Sequence, residues 1–484
     1  MTADYIAFHA QQRPDAAAFL DDGHRVTYND LARDIRKFTR AMREFGIPQG
    51  GTVVVGCDNP HLHLLILLAC ERLGLTTTSL VGREPPTVLP LLDAADLLIS
   101  EFPPPPEARP RLRHEITQAW VDGVKRLPDA EEAPLPLPPA ESALRILRTS
   151  GTTGTPKRLY LTRRMFDCWT NRWIWLYGLG VRSRVMAALP FVIGGGYAQV
   201  CACLRAGGTV VRENRMEVAQ ALSHYSVDLV VLLPVFLREV LAKIPAGFGR
   251  VEGLVVAAFG GAIQPSLRAE AVARLCGAVS DMYGCNEVGF IGSSGLYRAG
   301  GHLDVWPGVA VEVTDDQDRP LPPGQLGRIR VRTESMFAGY IDDPEATRRM
   351  LREGWFYPGD VGVLHGPRSL ELQGRGDDIL NFEGHKFMPE PLEEMIRKRV
   401  RIPEFAVGAD LDADGAPVLC VAVAETGIVD TELETRIAAV LSHAGFRKFE
   451  LVRVPSIPRN VGGKVQRHLL KAEIAAARQG PLRE

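Results

Sequence analysis

The residue types best suited to chemistry crowd into one run, "RTSGTTGTPKR", from Arg148 to Arg158. It holds Ser150, Gly151, Thr152, Thr153, Gly154 and Lys157. Gly, Ser, Thr and Pro favour turns over helix or strand. The flanking runs "ALRILR" and "LYLT" read as strands, so the run is a turn between them. Such a turn gathers backbone N–H groups and hydroxyls into one concavity that suits phosphate oxygens, and Lys157 adds a positive charge. On composition alone, a mobile Ser/Thr/Gly surface loop stays open beside the phosphate cradle. Glu287, ending "MYGCNE", has a carboxylate that can hold Mg2+, which takes few carboxylates together with phosphate oxygens and water. Taken singly, Asp360 after "YPG" is a turn residue, Tyr283 a core aromatic, and Lys464 after two glycines a solvated surface lysine.

The elements that must position these groups follow from periodicity. "VTYNDLARDIRKFTRAMREFGI" opens on Thr27 as an N-cap, closes on Gly46, and puts Leu31, Ile35, Phe38 and Met42 on one face. The strand "TVVVGC", a helix holding "LHLLILLAC" and the strand "TTTSLV" follow, the alternation of a layered α/β domain with a largely parallel sheet. A helix over 164–178 and "YAQVCACLRAG" alternate with strands near "RVMAALP", "TVVR", "VDLVVLLP", "GLVVAAFGG" and "AVSDMYG". "FPPPPEARPR" and "APLPLPPAES" bracket a segment expected to be irregular surface. The expected fold is α/β. A large N-terminal layered α/β domain takes residues 1–376, with a β-rich subdomain at about 309–373. A small mobile C-terminal α+β lid takes 377–484.

Composition narrows the class. A chain of 484 residues predicts two or more folding units. A net charge of −2 gives no electrostatic case for nucleic acid or an anionic membrane as partner. The run Leu62–Cys70 is too short to span a bilayer, and the first residues lack a signal-peptide core. Eight scattered cysteines without C-x-x-C spacing predict reduced thiols in a cytoplasm, with Cys201 and Cys203 as buried packing.

The order of the motifs is more specific than any one of them. After "TSGTTGTPK" come "FGGA" (259–262), "MYGCNE" (282–287), "GWFYPGD" (354–360), "GRGDDILNFEGHKFMPEPLE" (374–393) and "PRNVGGKVQR" (458–467). Over nearly its full length the series resembles the adenylate-forming enzymes: acyl- and aryl-CoA synthetases, luciferase-like enzymes and peptide-synthetase adenylation domains. The resemblance implies that Ser150, Gly151, Thr152, Thr153 and Gly154 wrap the β- and γ-phosphates of ATP with Lys157. It is not a Walker A loop, because no G-x4-G-K-[ST] is present. Arg158 replaces the small residue the family prefers and is expected to point to solvent. Glu287 is expected to hold Mg2+, with Gly284 in the same motif and Asn286 in place of the usual Thr. Tyr283 would stack on adenine, with Gly260, Gly261 and Ala262 lining the other side. Asp360 would accept hydrogen bonds from the ribose hydroxyls, and Arg375 would contact ribose or phosphate. Lys464 would bridge the acyl carboxylate and the α-phosphate, a cation between two anions that must approach. Asp377 matches the hinge of a lid with two orientations. The first delivers Lys464; the second admits a phosphopantetheine thiol past Gly384.

The acid is read from "PFVIGGGY". In the family the position after "PF" is an aspartate in amino-acid-activating members, where it pairs with the substrate ammonium. Here it is Val192, and a valine leaves a buried ammonium unpaired at high cost. Phe191, Val192, Gly194, Gly195, Phe259 and Phe290, with Ile291, are expected as pocket walls, and the glycines leave room for substrate or allow close backbone packing. The resemblance therefore implies an aryl or medium acyl acid activated as acyl-AMP. The acyl group then passes to CoA or to the phosphopantetheine of a separate carrier protein. Two alternatives remain at this stage: a free-standing amino-acid adenylation enzyme, and a non-catalytic descendant that only binds nucleotide.

Overall fold

Thr27 caps the first long helix as expected. Its Oγ1 accepts from the Asp30 backbone N–H at 3.1 Å and Asp30 Oδ2 accepts from the Thr27 N–H at 3.2 Å, a reciprocal box that starts Tyr28–Arg43. Leu31, Ile35, Phe38 and Met42 are all buried. The computed structural model describes residues 1–82, 88–130, 135–149, 156–261, 263–295, 302–378, 380–382, 385–400, 402, 404–411, 417–424, 431–446, 448–459 and 465–479. Ser150, Gly151, Thr152, Thr153, Gly154, Ala262, Gly384 and Lys464 lie outside them.

Two sheets carry the body. Six strands run in the order Leu112–Glu115, Leu97–Ser100, Thr52–Gly56, Thr76–Leu80, Ala143–Thr149 and Lys157–Thr162. All neighbours are parallel except the closing hairpin of the last two. The second sheet has a parallel heart in the order Ala17–Asp21, Thr209–Arg212, Arg184–Met186, Leu229–Leu232, Val251–Ala258 and Cys276–Cys285. Its strands are apolar on both faces, as sheets covered by helices on both sides require. Cys276–Cys285 then turns into antiparallel pairing with Gly289–Ser293, and the run continues through Leu303–Val305, Ser369–Arg375, Asp360–Gly366 and Leu326–Thr333. The charged short strands thus extend the larger sheet without a break.

One expectation is corrected. The segment between the proline-rich stretches forms the strand Leu112–Glu115 and the helix Gln118–Arg126, capped by Thr117. The helix docks on Tyr28–Arg43, with Val121 and Val124 buried and Trp120 edge-on to Phe38 at 5.7 Å. Cys201 and Cys203 are buried in the helix Gly194–Arg205 as expected, and all eight thiols are free.

Past Gly376–Asp378, a single 3-10 turn, a separate three-stranded sheet forms from Phe405–Leu411, Pro417–Ala424 and Phe449–Val454. It has two cores of its own. The helices Pro389–Arg399 and Thr431–His443 cover Val407, Val421 and Val423 on one face. The helix Arg467–Gln479 covers Ala406, Cys420 and Val452 on the other. Among the described residues no helix is long and apolar enough to cross a membrane.

Candidate active site

The loops that carry the motifs leave the carboxyl ends of the parallel strands, where open α/β sheets place ligands. Four ends converge. A Cβ added at Gly194, the first residue of its helix, would stand 3.0 Å from Leu147 Cδ1, 3.1 Å from Asn286 Oδ1 and 3.3 Å from Trp169 Cζ3. One at Gly195 would face the Phe259 ring at 3.6 Å. Asn286 Nδ2 donates to the Arg148 carbonyl at 3.4 Å, so the "YGCNE" turn is tied to the base of the phosphate-type loop.

Glu287 is 7 % exposed, and its Oε1 accepts from the Tyr340 hydroxyl at 2.8 Å. Tyr340 reaches it because its segment lies along the strand Lys157–Thr162: Tyr340 bridges Leu159, and Ile341 N–H donates to the Arg158 carbonyl at 2.8 Å. The same ring lies under the Lys157 ammonium, 5.0 Å from its centroid. Burial first, then the Arg349 charge, draws the Lys157 pKa below the ordinary lysine value. Burial and the Glu287 carboxylate push the Tyr340 hydroxyl up, so it stays a donor. A buried carboxylate with neutral hydrogen-bonding neighbours, beside a lysine, suits a Mg2+ ion, which takes few carboxylates together with phosphate oxygens and water. Tyr340 and Arg349 were missed in the sequence, where nothing in "FAGYIDDP" marks the tyrosine. Arg158 does not point freely to solvent: its Nη2 donates to Asp342 Oδ2 at 3.0 Å, in the turn after Tyr340.

A second group forms around Asp360. The Tyr283 hydroxyl donates to Asp360 Oδ2 at 2.7 Å, and Arg375 Nη1 stands 3.4 Å from Oδ1. Asp360 and Arg375 are direct partners across two antiparallel strands. Arg375 Nη1 also donates to the Pro358 carbonyl at 2.6 Å, wrapping the guanidinium in the "YPGD" turn. Gly359 takes φ +82° there, and a Cβ on it would come within 3.0 Å of Arg375 Nη2, so only glycine fits this turn. Burial first, then the Asp360 charge, holds the Tyr283 hydroxyl protonated. Tyr283 and Asp360 are therefore one hydrogen-bonded unit. Tyr283→Phe is expected to raise KM for ATP roughly five- to tenfold, the size of one lost hydrogen bond of about 1–1.4 kcal/mol, with kcat little changed. Steady-state kinetics at varied ATP checks it.

Gly260 and Gly261 follow the end of Val251–Ala258 and face Leu233 and Pro234, and Gly284 sits in the hairpin to Gly289–Ser293. Beside them, Asp281 Oδ2 accepts from the Ile263 N–H at 3.3 Å and lies 3.9 Å from Arg268 Nη2. Burial raises its pKa to about 6. A carboxyl whose folded pKa exceeds its unfolded value of about 3.9 binds more protons folded, so its contribution falls as pH rises from about 4 to 6. Asp281→Asn keeps the acceptor and removes that loss. Its stability relative to the parent should climb across this window by on the order of 2–3 kcal/mol, read by urea unfolding at several pH values.

The pocket residues divide. Phe191 is 3 % exposed and sits in the core, its ring edge-on to His63 at 5.5 Å and Tyr197 at 5.7 Å, and its carbonyl accepts from Arg145. Gly194 and Gly196 serve close packing, against Leu147, Trp169 and Leu189, while Gly195 faces Phe259. Val192 and Phe259 are half-buried, as is Phe290, whose ring meets Trp173 edge-on at 5.1 Å. Ile291 is fully buried. Asp377 lies in the 3-10 turn between the body and the C-terminal sheet. That sheet's first helix touches the body beside the "FGGA" loop, where Ser266 Oγ donates to Glu394 Oε1 at 2.6 Å and Arg397 Nη1 donates to Gln264 Oε1 at 3.1 Å.

Known proteins are similar to this chain over nearly its whole length. A fatty acid–[acyl-carrier-protein] ligase, ScoC of Streptomyces coeruleorubidus, is 26 % identical over 96 % of this chain and 95 % of its own. An indoleacetate–CoA ligase of Aromatoleum aromaticum is 26 % identical over 98 % of both. The crystal structure of the anthranilate CoA ligase AuaEII with anthranoyl-AMP superposes with a TM-score of 0.87 at 20 % identity, covering 99 % of this chain and 98 % of that one. With residues 6–341 matching the AMP-binding enzyme family, and the carboxylate and "YPGD" groups placed as above, the chain belongs to that family.

Proposed function

We propose that the chain joins a carboxylic acid to ATP, giving acyl-AMP and pyrophosphate, and then passes the acyl group to the phosphopantetheine thiol of CoA or of a separate carrier protein. The observation that supports this most is the pairing of two groups on one rim: Lys157, Tyr340 and Glu287 beside the phosphate-type loop, and Tyr283, Asp360 and Arg375 beyond it. In the first half-reaction a carboxylate oxygen bonds to the α-phosphorus and the bond to pyrophosphate breaks. In the second the thiol sulfur bonds to the acyl carbon, AMP leaves and the thiol proton passes to solvent.

The residues divide the work. Ser150, Gly151, Thr152, Thr153 and Gly154 with Lys157 hold the β- and γ-phosphates. Asp360 accepts from the ribose, and Tyr283 orients Asp360 while stacking on the base. Glu287 would hold Mg2+, which supplies charge neutralisation at the phosphates when bound. Lys464 brings a cation to the two anions that react. The acid is an aryl or medium acyl acid: Phe259, Phe290 and Val192 offer apolar surface and no carboxylate for an ammonium, which also disfavours an α-amino acid. The relatives ScoC and the indoleacetate ligase carry a carrier protein and CoA in their names respectively, so both acceptors enter the test. Gly376 and Asp377 provide the hinge on which the C-terminal sheet turns between half-reactions.

The test is a mass-spectrometric screen of the chain with Mg-ATP and pooled aryl, fatty and amino acids, with and without CoA. An acyl-CoA from an aryl or medium acyl acid supports the reading. Aminoacyl-AMP alone would replace it with the amino-acid alternative, and no adenylate from any acid would overturn it.

A further inference from the structure

The far end of the nucleotide-side hairpin gathers a second set of chemically capable groups. His302 stands just before Leu303–Val305, Glu371 lies on Ser369–Arg375, and His365 lies on Asp360–Gly366. These three strands are neighbours in the sheet, with Ser369–Arg375 in the middle. The two imidazoles stack with centroids 4.3 Å apart and planes 12° apart, presenting their edges to one carboxylate. Glu371 Oε2 is 2.6 Å from His365 Nε2 and 3.9 Å from His302 Nε2, and the ligand atoms of all three lie within 4.8 Å of one another.

We propose that His302, His365 and Glu371 form a binding site for a borderline divalent transition metal ion of the Zn2+ class, with three protein ligands and an open fourth position. Two donors on Zn–N or Zn–O bonds of about 2.0–2.1 Å in a tetrahedron stand about 3.3 Å apart. The 2.6 and 3.9 Å separations bracket that value, so small side-chain rotations close the site. Imidazole with one carboxylate suits Zn2+ and its neighbours better than Mg2+ or Ca2+, which take oxygen ligands. The outer contacts point the same way. His302 Nδ1 is 3.1 Å from Ser369 Oγ, and in the tautomer where Nδ1 donates to that oxygen the Nε2 lone pair is the one turned to Glu371; Gln373 Nε2 donates to Glu371 Oε1 at 2.7 Å. Partners of this kind fix the tautomer and orientation of metal ligands. The site owes nothing to the acid-activation reading. Both strands that supply His365 and Glu371 also carry Asp360 and Arg375 at their opposite ends, so a bound ion pins three strands beneath the nucleotide group.

The full chain is titrated with Zn2+ against a chromophoric chelator, and with Co2+ while visible absorption is followed. His302→Ala/His365→Ala is the reference, so that ions held by thiols or by Glu287 cancel. The parent should bind one equivalent more than the double variant, and the difference spectrum between them should show the d–d absorption of four-coordinate Co2+. Glu371→Gln, which keeps a hydrogen-bond acceptor, should weaken binding about tenfold or more while the metal-free unfolding midpoint stays unchanged. Equal stoichiometry and affinity in parent and double variant would overturn the proposal.

Discussion

Lys464→Ala should slow pyrophosphate release by about 10²–10³-fold or more while ATP binding stays within severalfold, because a preorganised charge acts where negative charges are driven together and not in the nucleotide ground state. Lys464 lies outside the described residues, and the residues on either side of the stretch 460–464 are held. Arg459 and Val465 pair across it, Gln466 N–H donates to the Pro458 carbonyl at 2.8 Å, and Arg459 Nε donates to Glu404 Oε1 at 2.9 Å. Five residues lie between these two paired positions, and the lysine is the last of them. The variant should therefore retain thioester formation from synthetic acyl-AMP, a half-reaction that asks for no cation between two anions. Chromatographic assay of each half-reaction separates these outcomes. Equal loss in both would make Lys464 a structural residue, and no loss in pyrophosphate release would remove it from the mechanism.

Much of the scaffold was legible because its signals are local. Thr27 and Asp30 sit three apart and cap each other, and the strand–helix alternation follows from apolar runs of period two or 3.6. The strand Leu112–Glu115 was not legible: its sequence "LRHE" is charged, and it is an edge strand recognised only by its neighbour Leu97–Ser100. The motif order placed Glu287, Asp360 and Arg375 at one rim, yet it said nothing of what holds them. Tyr340 is 53 residues from Glu287 and reaches it through a strand-edge contact that no window of sequence contains. Tyr283 and Asp360, 77 apart, form one unit for the same reason. Phe191 shows the converse. Its neighbourhood in the chain suggested a pocket wall, while His63, Tyr197 and Arg145, all distant in sequence, turn it into the core.

That long-range contact sets up the other large effect. Glu287→Gln should reduce pyrophosphate release about 10²-fold, and the deficit should shrink as Mg2+ is raised, because the substitution removes a buried negative charge suited to hold the ion beside Lys157. Folding should not suffer: the glutamine Oε1 still accepts from Tyr340, and a buried charge is exchanged for a neutral amide of the same shape. A competing account makes Glu287 a positioning residue that merely fixes the Tyr340 ring under the lysine. Tyr340→Phe separates the two. It keeps the ring and the cation–π contact and deletes only the hydroxyl, so a severalfold loss without Mg2+ dependence is expected. If both variants lose activity alike and neither responds to Mg2+, Glu287 acts through Tyr340. If the glutamine variant alone is severe and Mg2+-sensitive, the carboxylate carries the metal and the Tyr340 hydroxyl only orients it.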